Sequence, residues 1–505
     1  MTTSTPDRLL IRDAHVFAAD DAGTQWPCAD ILIEAGRIAA IGPGLAVEGP
    51  IGRVIEAKGM LAIPGLINAH FHSPGNLMRG MLDGLPLEIF MLYEVPPLAA
   101  GVPVGHLNYV RTLLGAAEML RLGITSVMDD AFHVPVASAE GIDGIARAYR
   151  DIGMRARLAI DQPNVVEYEK YPFLHDLLTP AMRAAMESAP RQTDEELLAL
   201  YAHLVSTWDG AGDGRIGAAL SCSAPQRVTL PYFVGLSELS ERHDLPFNCH
   251  ILESKLQRVL GEEKYGRSLV RYVHDLGHLD ARMVVIHAIW IDEDDMALLA
   301  RSGATVAHNP LCNLRLGSGV MPFRALADAG VPIALGTDEA TVDDTVNLWG
   351  VIKQAGLVHT LSDDEYERWP AAPEILSCLW RGGARALRWP DIGHLTVGAK
   401  ADIALLDLDT YAFTPLNDLR RQLVYCESGS SVRMTIAAGR VVFEDGRVTT
   451  IDEAALRAEA RALMAGYRQS LGPALEEARR LEPAYRAMVA RAHARDVGLR
   501  RRLTG

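Results

Sequence analysis

Eight short apolar stretches, each followed by a segment of helical composition, occupy the middle of this chain. Each has the length and residue types of a buried strand. The apolar stretches are residues 61–67, 124–129, 154–160, 215–221, 246–251, 282–287, 304–308 and 331–337. The clearest helical segments between them are 107–122, 194–208, 231–243, 293–300 and 343–354. Eight strand–helix units in series predict an α/β fold with a (β/α)8 TIM-type barrel rather than an open, doubly wound sheet.

Strand-like runs flank this alternating region on both sides. In residues 8–60, short apolar runs alternate with Gly, Asp and Pro, and the same sequence pattern recurs near the other end of the chain. Two such flanks can pair when the ends of an inserted domain lie close together. We therefore expect a composite β-sandwich domain from 1–60 plus 390–450, a catalytic barrel over 61–389 and a C-terminal helical extension over 451–505.

Two long interruptions of the alternation follow predicted strands, at residues 73–105 and 161–192. The first contains the pair Pro96 and Pro97, which breaks regular structure. Because both segments follow strands, we expect them to be loops over the face where barrel active sites form. Long loops on that face often act as lids.

Charge and cysteine usage exclude several kinds of partner and location. The formal net charge of −15 argues against nucleic acid or an anionic membrane as a partner. The six cysteines are widely spaced and form no CxxC pair, which indicates a reducing compartment rather than a disulfide framework. The first residues are polar, and no apolar run approaches the length of a membrane span. We therefore expect a cytoplasmic protein that acts on a small molecule.

Residue types that bind metals stand at the ends of four predicted strands. His70 and His72 follow the first strand one residue apart, so their side chains point the same way. His250 ends the fifth strand, His287 the sixth and Asp338 the eighth. The carboxyl ends of barrel strands meet on one face, so the sequence predicts that these side chains share one site.

The segments around these residues resemble the amidohydrolase superfamily, specifically its mononuclear aminohydrolase branch. This branch is cytosine deaminase-like and is also described as the S-adenosylhomocysteine deaminase–chlorohydrolase branch. The matching segments are Gly-Met-Leu-Ala-Ile-Pro-Gly-Leu-Ile-Asn-Ala-His-Phe-His at 59–72, Leu-Met-Arg-Gly-Met-Leu-Asp-Gly-Leu-Pro at 77–86, His-Ile-Leu-Glu at 250–253, the run 308–319 and the run 393–402. The resemblance therefore spans nearly the whole chain.

The resemblance implies a mononuclear metal centre. The implied ligands are His70, His72, His250 and Asp338. Three imidazoles and a carboxylate suit one divalent ion per chain, with Zn2+ as the first expectation and Fe2+ as the alternative. The fourth strand ends without a lysine, which removes the carbamylated lysine of the binuclear members and favours one metal over two.

The resemblance also implies a reaction. His287 and Asp338 would orient a metal-activated water and take its proton, and hydroxide would attack an electron-poor C=N carbon. Glu253 would act as the general acid that protonates the ring nitrogen, after which ammonia leaves. Glu253, His287 and Asp338 are thus the expected catalytic residues.

Five further residues are candidate substrate contacts: Arg79, Ser223, His308, Asn313 and Glu339. Ser223 stands where nucleoside-type deaminases of this branch usually carry a histidine, which argues against recognition of a ribose. Glu339 follows the metal-ligand aspartate where the branch usually has glycine. Its added negative charge could favour a cationic or amino-rich substrate, although solvation of a loop explains it equally well.

The leading hypothesis is an aminohydrolase that deaminates a purine-, pterin- or pyrimidine-type ring. A chlorohydrolase or an amide- or urea-type hydrolase on the same metal site is the alternative, and Glu253 tilts the choice towards deamination. A non-catalytic assembly protein on this fold is a distant third, because such proteins lose metal ligands that this chain retains. We also expect a homo-oligomer. The substrate itself is left open.

Overall fold

The structure is a computed structural model that describes residues 8–94, 102–343 and 345–502. Its strands form one flanking sheet and two parallel half-barrels. The flanking sheet contains β1 (Arg8–Phe17), β2 (Gln25–Glu34), β3 (Arg37–Gly42), β4 (Arg53–Glu56), β5 (Met60–Pro64), β16 (Ile403–Asp407), β17 (Val432–Ala437), β18 (Arg440–Glu444) and β19 (Arg447–Val448). The barrel contains β6 (Leu66–His72), β7 (Ile124–Phe132), β8 (Arg155–Asp161), β9 (Ile216–Ala218), β10 (Leu220–Ser221), β11 (Phe247–Ile251), β12 (Met283–His287), β13 (Thr305–His308), β14 (Ile333–Leu335) and β15 (Asp338–Glu339).

The helices lie between the barrel strands, over the catalytic face and at the end of the chain. They are α1 (Leu87–Glu94), α2 (Val104–Arg121), α3 (Ala139–Ile152), α4 (Leu174–Leu177), α5 (Pro180–Ser188), α6 (Asp194–Trp208), α7 (Ala211–Gly214), α8 (Leu230–His243), α9 (Lys255–Tyr265), α10 (Leu269–Asp275), α11 (Glu293–Ser302), α12 (Pro310–Arg315), α13 (Phe323–Asp328), α14 (Leu348–Val358), α15 (Ala372–Ser377), α16 (Gly383–Ala386), α17 (Leu419–Tyr425) and α18 (Glu453–His493).

The barrel is a parallel β/α barrel whose fourth and eighth strands are interrupted. One half has the order β15-β6-β7-β8-β9 and the other β10-β11-β12-β13-β14. The fourth strand, formed by β9 and β10, breaks at Ala219, and the eighth, formed by β14 and β15, breaks at Gly336 and Thr337. Backbone bonds bridge the first break, since Ala219 N–H donates to Leu158 and Leu220 N–H to Pro246. The predicted fold class is confirmed.

The flanking sheet joins strands from both ends of the sequence. Its order is β19-β18-β17-β16-β5-β1-β2-β3, with β4 beside β1. The central contact pairs β16 with β5 in antiparallel register, with Ile403 opposite Pro64. The residue limits given above for three domains stay a prediction.

The first predicted strand, 61–67, is two strands in two sheets, which corrects that prediction. β5 ends at Pro64 in the flanking sheet, and β6 begins at Leu66 in the barrel. Gly65 separates them, and a Cβ on Gly65 would lie 2.2 Å from Thr125 Oγ1. Both strands are buried and apolar, so a single apolar run in the sequence hides the break between them.

The two segments predicted as loops contain helices, which is a second correction. Segment 73–105 holds α1, whose Ile89 and Phe90 are buried, and the start of α2, whereas Pro96 and Pro97 lie outside the described residues. Segment 161–192 holds α4 and α5. Thr179 caps α5 at its first turn, a standard start signal that the proline-rich composition obscured.

The helix predicted over 343–354 begins later, at Leu348. The Asn347 side chain accepts a hydrogen bond from the Trp349 backbone and so sets the helix start. The other predicted helices differ from the observed ones by three residues or fewer at either end.

The C-terminal tail forms the long helix α18, as its composition predicts. Asp452 caps it by accepting from the backbone N–H groups of Ala454 and Ala455. The helix packs against α1, α2, α4 and α9, and its buried Leu481 and Tyr485 face the catalytic end of the barrel. None of the helices in the described ranges combines the length and hydropathy needed to cross a bilayer.

Candidate active site

The strand ends bring the predicted metal ligands together at one rim of the barrel. One ring nitrogen from each of His70, His72 and His250 lies within 4.8 Å of the other two. Asp338 Oδ1 is 3.7 Å from His70 Nε2 and 3.5 Å from His72 Nε2, and Asp338 Oδ2 is 3.6 Å from His287 Nε2. Since β6 is parallel to its neighbours, the side chains at its carboxyl end meet those of the other strands.

The hydrogen bonding of the histidines fits a bound metal. His70 is fully buried, yet neither of its ring nitrogens has a hydrogen-bond partner among the described residues. His250 Nδ1 contacts the Ser223 carbonyl at 2.7 Å, and His72 Nδ1 contacts the Asp130 carbonyl. These bonds engage one nitrogen and leave Nε2 free, as in histidines that bind metals. The donor set therefore fits one divalent ion.

The electrostatics of the site favour a bound cation. Burial lowers the pKa of His70 and of His250, which keeps their lone pairs available. Burial also acts to lower the pKa of His72, but the carboxylates of Asp338 and Asp130 outweigh it and raise that pKa to about 9. The carboxylates thus create a negative field at this rim, which a metal ion or a proton can neutralise.

Glu253 and His287 form a second pair next to this centre. Glu253 Oε2 lies 3.5 Å from His287 Nε2, and the Ser318 hydroxyl donates to Glu253 Oε1 at 3.1 Å. Burial raises the pKa of Glu253, which favours its protonated form. His287 Nδ1 contacts Asn313 Oδ1 at 2.9 Å, so Nε2 points towards the site. Asn313, a candidate substrate contact, therefore lies against His287.

Several residues at this rim have left-handed backbone conformations. The φ angles are +62° at Ser223, +57° at Leu252, +73° at His287 and +61° at Asp338. Such conformations cost energy in residues other than glycine and persist only where the surrounding structure enforces them. Their concentration here indicates that the surrounding structure holds these side chains in position at a cost in folding free energy.

The other candidate contacts fall into two groups. Ser223 and Glu339 line the cavity at the site. Arg79 instead forms an ion pair with Glu118, and His308 lies against His359 with 3.0 Å between their Nε2 atoms. Arg79 and His308 are absent from the described residues that line the cavity.

The cavity has a volume of about 500 Å3 and contains residues that the sequence did not indicate. Glu94 comes from α1, Asp161 from the end of β8, Arg227 from the turn after β10 and Tyr485 from α18. Asp161 ends a strand, so the rule that identified His250 could also have found it. Nothing in the local sequence signals the other three.

Glu94 and Glu339 are neighbouring buried carboxyls on the cavity wall. Burial raises the pKa of Glu94, and a hydrogen bond from Glu339 limits the rise to about 7. Burial and the nearby Glu94 raise the pKa of Glu339 well above its ordinary value. Each carboxyl therefore opposes ionisation of the other.

The His308–His359 pair predicts an acid sensitivity. Burial lowers the pKa of His359 to about 3, below the ordinary value of 6.5, so the folded state resists protonation. The stabilisation is complete above pH 6.5 and is lost as the pH falls, by about 2 kcal/mol for one such group at pH 5. We expect His359→Phe to reduce the loss of unfolding free energy between pH 7 and pH 5 by about this amount.

Denaturant unfolding at the two pH values, with a chelator present, measures this effect. The chelator removes the contribution of metal release at low pH. His243→Phe is the matched control, because that histidine is exposed at the end of α8 and its replacement should change the pH dependence little. Equal pH dependence in His359→Phe and the unmodified protein would contradict the assignment.

Comparison with known proteins identifies the family. Residues 61–442 match the sequence model described as "Amidohydrolase family". The chain belongs to the amidohydrolase family. The match includes every residue of the predicted metal set, and the predicted resemblance is confirmed.

Relatives of this amidohydrolase include deaminases and a chlorohydrolase. A 5-methylthioadenosine/S-adenosylhomocysteine deaminase of Desulforudis audaxviator is 31% identical, over 88% of this chain and 96% of the relative. An adenosine deaminase structure from Xanthomonas campestris with bound zinc is 26% identical, with a TM-score of 0.79 over 91% of this chain and 98% of that one. An atrazine chlorohydrolase from Arthrobacter aurescens, complexed with zinc, is 26% identical with a TM-score of 0.80 over 90% and 99%.

These findings settle the class of this amidohydrolase. It is a hydrolase of carbon–nitrogen bonds, and the predicted class, an aminohydrolase acting on an amino-substituted N-heterocycle, is confirmed. A divalent metal is supported as its cofactor, because neighbouring structures contain zinc and the donor set fits one ion.

Proposed function

We propose that this amidohydrolase deaminates an amino-substituted purine of nucleoside size and uses one Zn2+ ion per chain. The observation that carries the proposal is the placement of Glu253 3.5 Å from His287, beside the three-histidine, one-aspartate cluster. The names of the deaminase relatives support a purine nucleoside despite the serine at position 223, and a cavity of about 500 Å3 lies in the range of pockets that hold a ligand larger than a bare ring.

Four side chains would hold the metal: His70, His72, His250 and Asp338. When bound, a zinc ion would supply Lewis acidity that makes water nucleophilic at neutral pH. The Ser223 and Asp130 carbonyls orient the imidazoles of His250 and His72, so the ligand geometry is set before metal or substrate arrives.

The remaining residues move protons. Asp338 Oδ2 and His287 Nε2 lie 3.6 Å apart, so they can orient the attacking water between them and accept its proton. Glu253, whose raised pKa favours its neutral form, donates a proton from its carboxyl to the ring nitrogen next to the reacting carbon. The proton taken from water passes to the amino group, which leaves as ammonia. The new hydroxyl returns a proton to Glu253 as the carbonyl forms. The Ser318 hydroxyl holds the other oxygen of Glu253 in place.

The carboxyls of Glu94 and Glu339 would contact the donor groups of the substrate. Glu94 Oε1 and Glu339 Oε2 are buried and have no hydrogen-bond partner among the described residues. An unpartnered buried oxygen is costly, and amino or hydroxyl groups of a bound substrate would satisfy these two. Glu339 keeps the role of a substrate contact in this proposal.

Ammonia release tests the proposal directly. Zinc-loaded protein is incubated with adenosine, 5'-deoxyadenosine, guanine, a pterin, cytosine and atrazine, and both ammonia and chloride are measured. We expect stoichiometric ammonia from an aminopurine nucleoside. Chloride from atrazine without ammonia from any heterocycle would instead support the chlorohydrolase alternative. The cytoplasmic location and the homo-oligomeric state stay predictions.

A further inference from the structure

Arg227 is a half-buried cation on the cavity wall whose hydrogen bonding is incomplete. It ends the turn Pro225–Arg227, just after the fourth barrel strand. Nη1 donates to the Ser223 hydroxyl at 3.3 Å and Nη2 to the thioether of Met91 at 2.8 Å. Nε is buried without a partner, and no carboxylate of the described residues lies within 4.0 Å of the guanidinium. A thioether is a weak acceptor, so much of this five-donor group is unsatisfied.

Two other arginines, Arg155 and Arg157, are buried and well satisfied, whereas Arg111 and Arg215 also have buried nitrogens without a hydrogen-bond partner among the described residues but do not line the cavity. Arg155, which is 1% exposed, donates Nε to Asp402 at 2.9 Å and Nη1 to the Gly214 carbonyl at 3.1 Å. Arg157 donates to the carbonyls of Leu387 and Ala218, each at 3.0 Å. Arg227 lines the cavity, and among the described residues no acceptor reaches its Nε and only a thioether reaches its Nη2, which points to a ligand.

The guanidinium lies next to the reaction centre. The Ser223 hydroxyl accepts from Arg227, and the Ser223 carbonyl accepts from His250. Arg227 is therefore one residue removed from a proposed metal ligand. Asp161, Glu167 and Glu253 are carboxylates that act on it electrostatically. Arg227 lines the same cavity as Glu253, His250 and Asp338, so a ring bound there can reach both the reaction centre and the guanidinium.

The charges around the cavity restrict what Arg227 can bind. Glu94, Asp161, Glu253, Asp338 and Glu339 also line the wall, so a phosphate or another dianion would be repelled. An uncharged acceptor avoids that repulsion. Arginine can donate but not accept, so a ring edge that carries only N–H groups would leave it unsatisfied.

We propose that Arg227 is a substrate-binding residue that selects rings with an uncharged acceptor, a ring nitrogen or an oxo oxygen, on the edge away from the reacting carbon. This inference rests on the proposed function, because it assumes the ring orientation that Glu253 and the metal centre require. It assigns to Arg227 the recognition role that the short Ser223 side chain cannot perform alone. Rejection of rings without the acceptor follows from the buried donors they would leave unpaired.

The test measures binding and turnover separately. Adenosine, 3-deazaadenosine and 7-deazaadenosine are the probes, since each analogue lacks one ring-nitrogen acceptor. Calorimetry uses zinc-loaded protein in the Glu253→Gln background, where adenosine is consumed slowly. We expect one analogue to bind about 10- to 100-fold more weakly than adenosine. Arg227→Met should weaken adenosine binding by the same factor and remove the preference, and Arg227→Lys should restore part of it.

Arg191→Met is the matched control. Arg191 also lines the cavity, but its guanidinium donates to the backbone carbonyls of Met186, Glu187 and Ala189. Its replacement should leave the preference among the three probes unchanged. Thermal unfolding of every variant verifies that it is folded.

The outcomes separate the two proposals. Equal binding of adenosine and both analogues, or an unchanged preference in Arg227→Met, would overturn the role of Arg227 even if ammonia is released. If the preference depends on Arg227 but protein with Glu253 intact releases no ammonia, the inference stands and the proposed deamination fails. If none of the three probes binds, the purine assignment fails, and the role of Arg227 falls with it.

Discussion

Loss of the metal, by chelation or by His70→Ala, is expected to abolish ammonia release. His70 is fully buried and has no hydrogen-bond partner in the described part of the chain, so the metal is the interaction that its imidazole is placed to make. Without the metal, the pKa of water stays far above neutral pH, so almost no hydroxide forms and we expect activity to fall by at least about a thousandfold. Elemental analysis and an ammonia assay on the same sample measure the two losses together.

Added zinc separates the two routes to metal loss. It should restore the chelated protein, whose ligands are intact, but not His70→Ala. His175→Ala is the control, because that histidine is largely exposed and far from the ligand set in sequence; it should keep one metal and full activity. A metal-free His70→Ala protein that still turns over substrate would disprove the proposed mechanism.

Glu253→Gln is expected to lower kcat by about 100- to 10,000-fold while the metal content stays at one per chain. Glutamine keeps the shape and can still accept from Ser318, but it has no carboxyl proton to deliver to the ring nitrogen. The metal ligands are separate side chains, so the metal should remain bound. Steady-state kinetics and elemental analysis of the same preparation test both statements.

Glu262→Gln on α9 is the matched control for this change. Glu262 is exposed, pairs with Arg258 on the same helix and lies only nine residues from Glu253. It should retain kcat within a factor of about two, as surface substitutions cost little. If Glu253→Gln also retains kcat within a few-fold, the proton donor is another residue, and the buried carboxyls Glu94 and Asp161 become the next candidates.

The part of the site on strand ends was predictable because buried parallel strands leave a clear mark in sequence. The apolar runs before His250 and His287 end abruptly at a polar side chain, and the barrel geometry then places both on one rim. The eighth predicted strand is likewise an apolar run that is followed by a polar side chain, Asp338. The prediction of one strand over 61–67 was wrong, because apolar residues continue across the junction between two sheets.

The rest of the cavity could not be predicted because it is assembled by tertiary packing. Tyr485 reaches the cavity from α18, more than 400 residues along the chain from His70. Its helix was predicted from composition, but the surface that the helix packs on was not. Glu94 lies in a segment whose prolines suggested a loop, and Arg227 lies in a short turn without periodicity.

The single residue between β5 and β6 fixes the phase of the catalytic strand. Gly65 alone separates the last flanking-sheet position, Pro64, from the first barrel position, Leu66, and it is packed against Thr125. Side chains alternate along a strand, so one inserted residue that propagated into β6 would turn both histidines away from the rim. The position of β5 in the flanking sheet therefore fixes the register of β6 in the barrel. A fusion or truncation at this junction, although it lies between two sheets, would displace the proposed metal ligands at the end of β6.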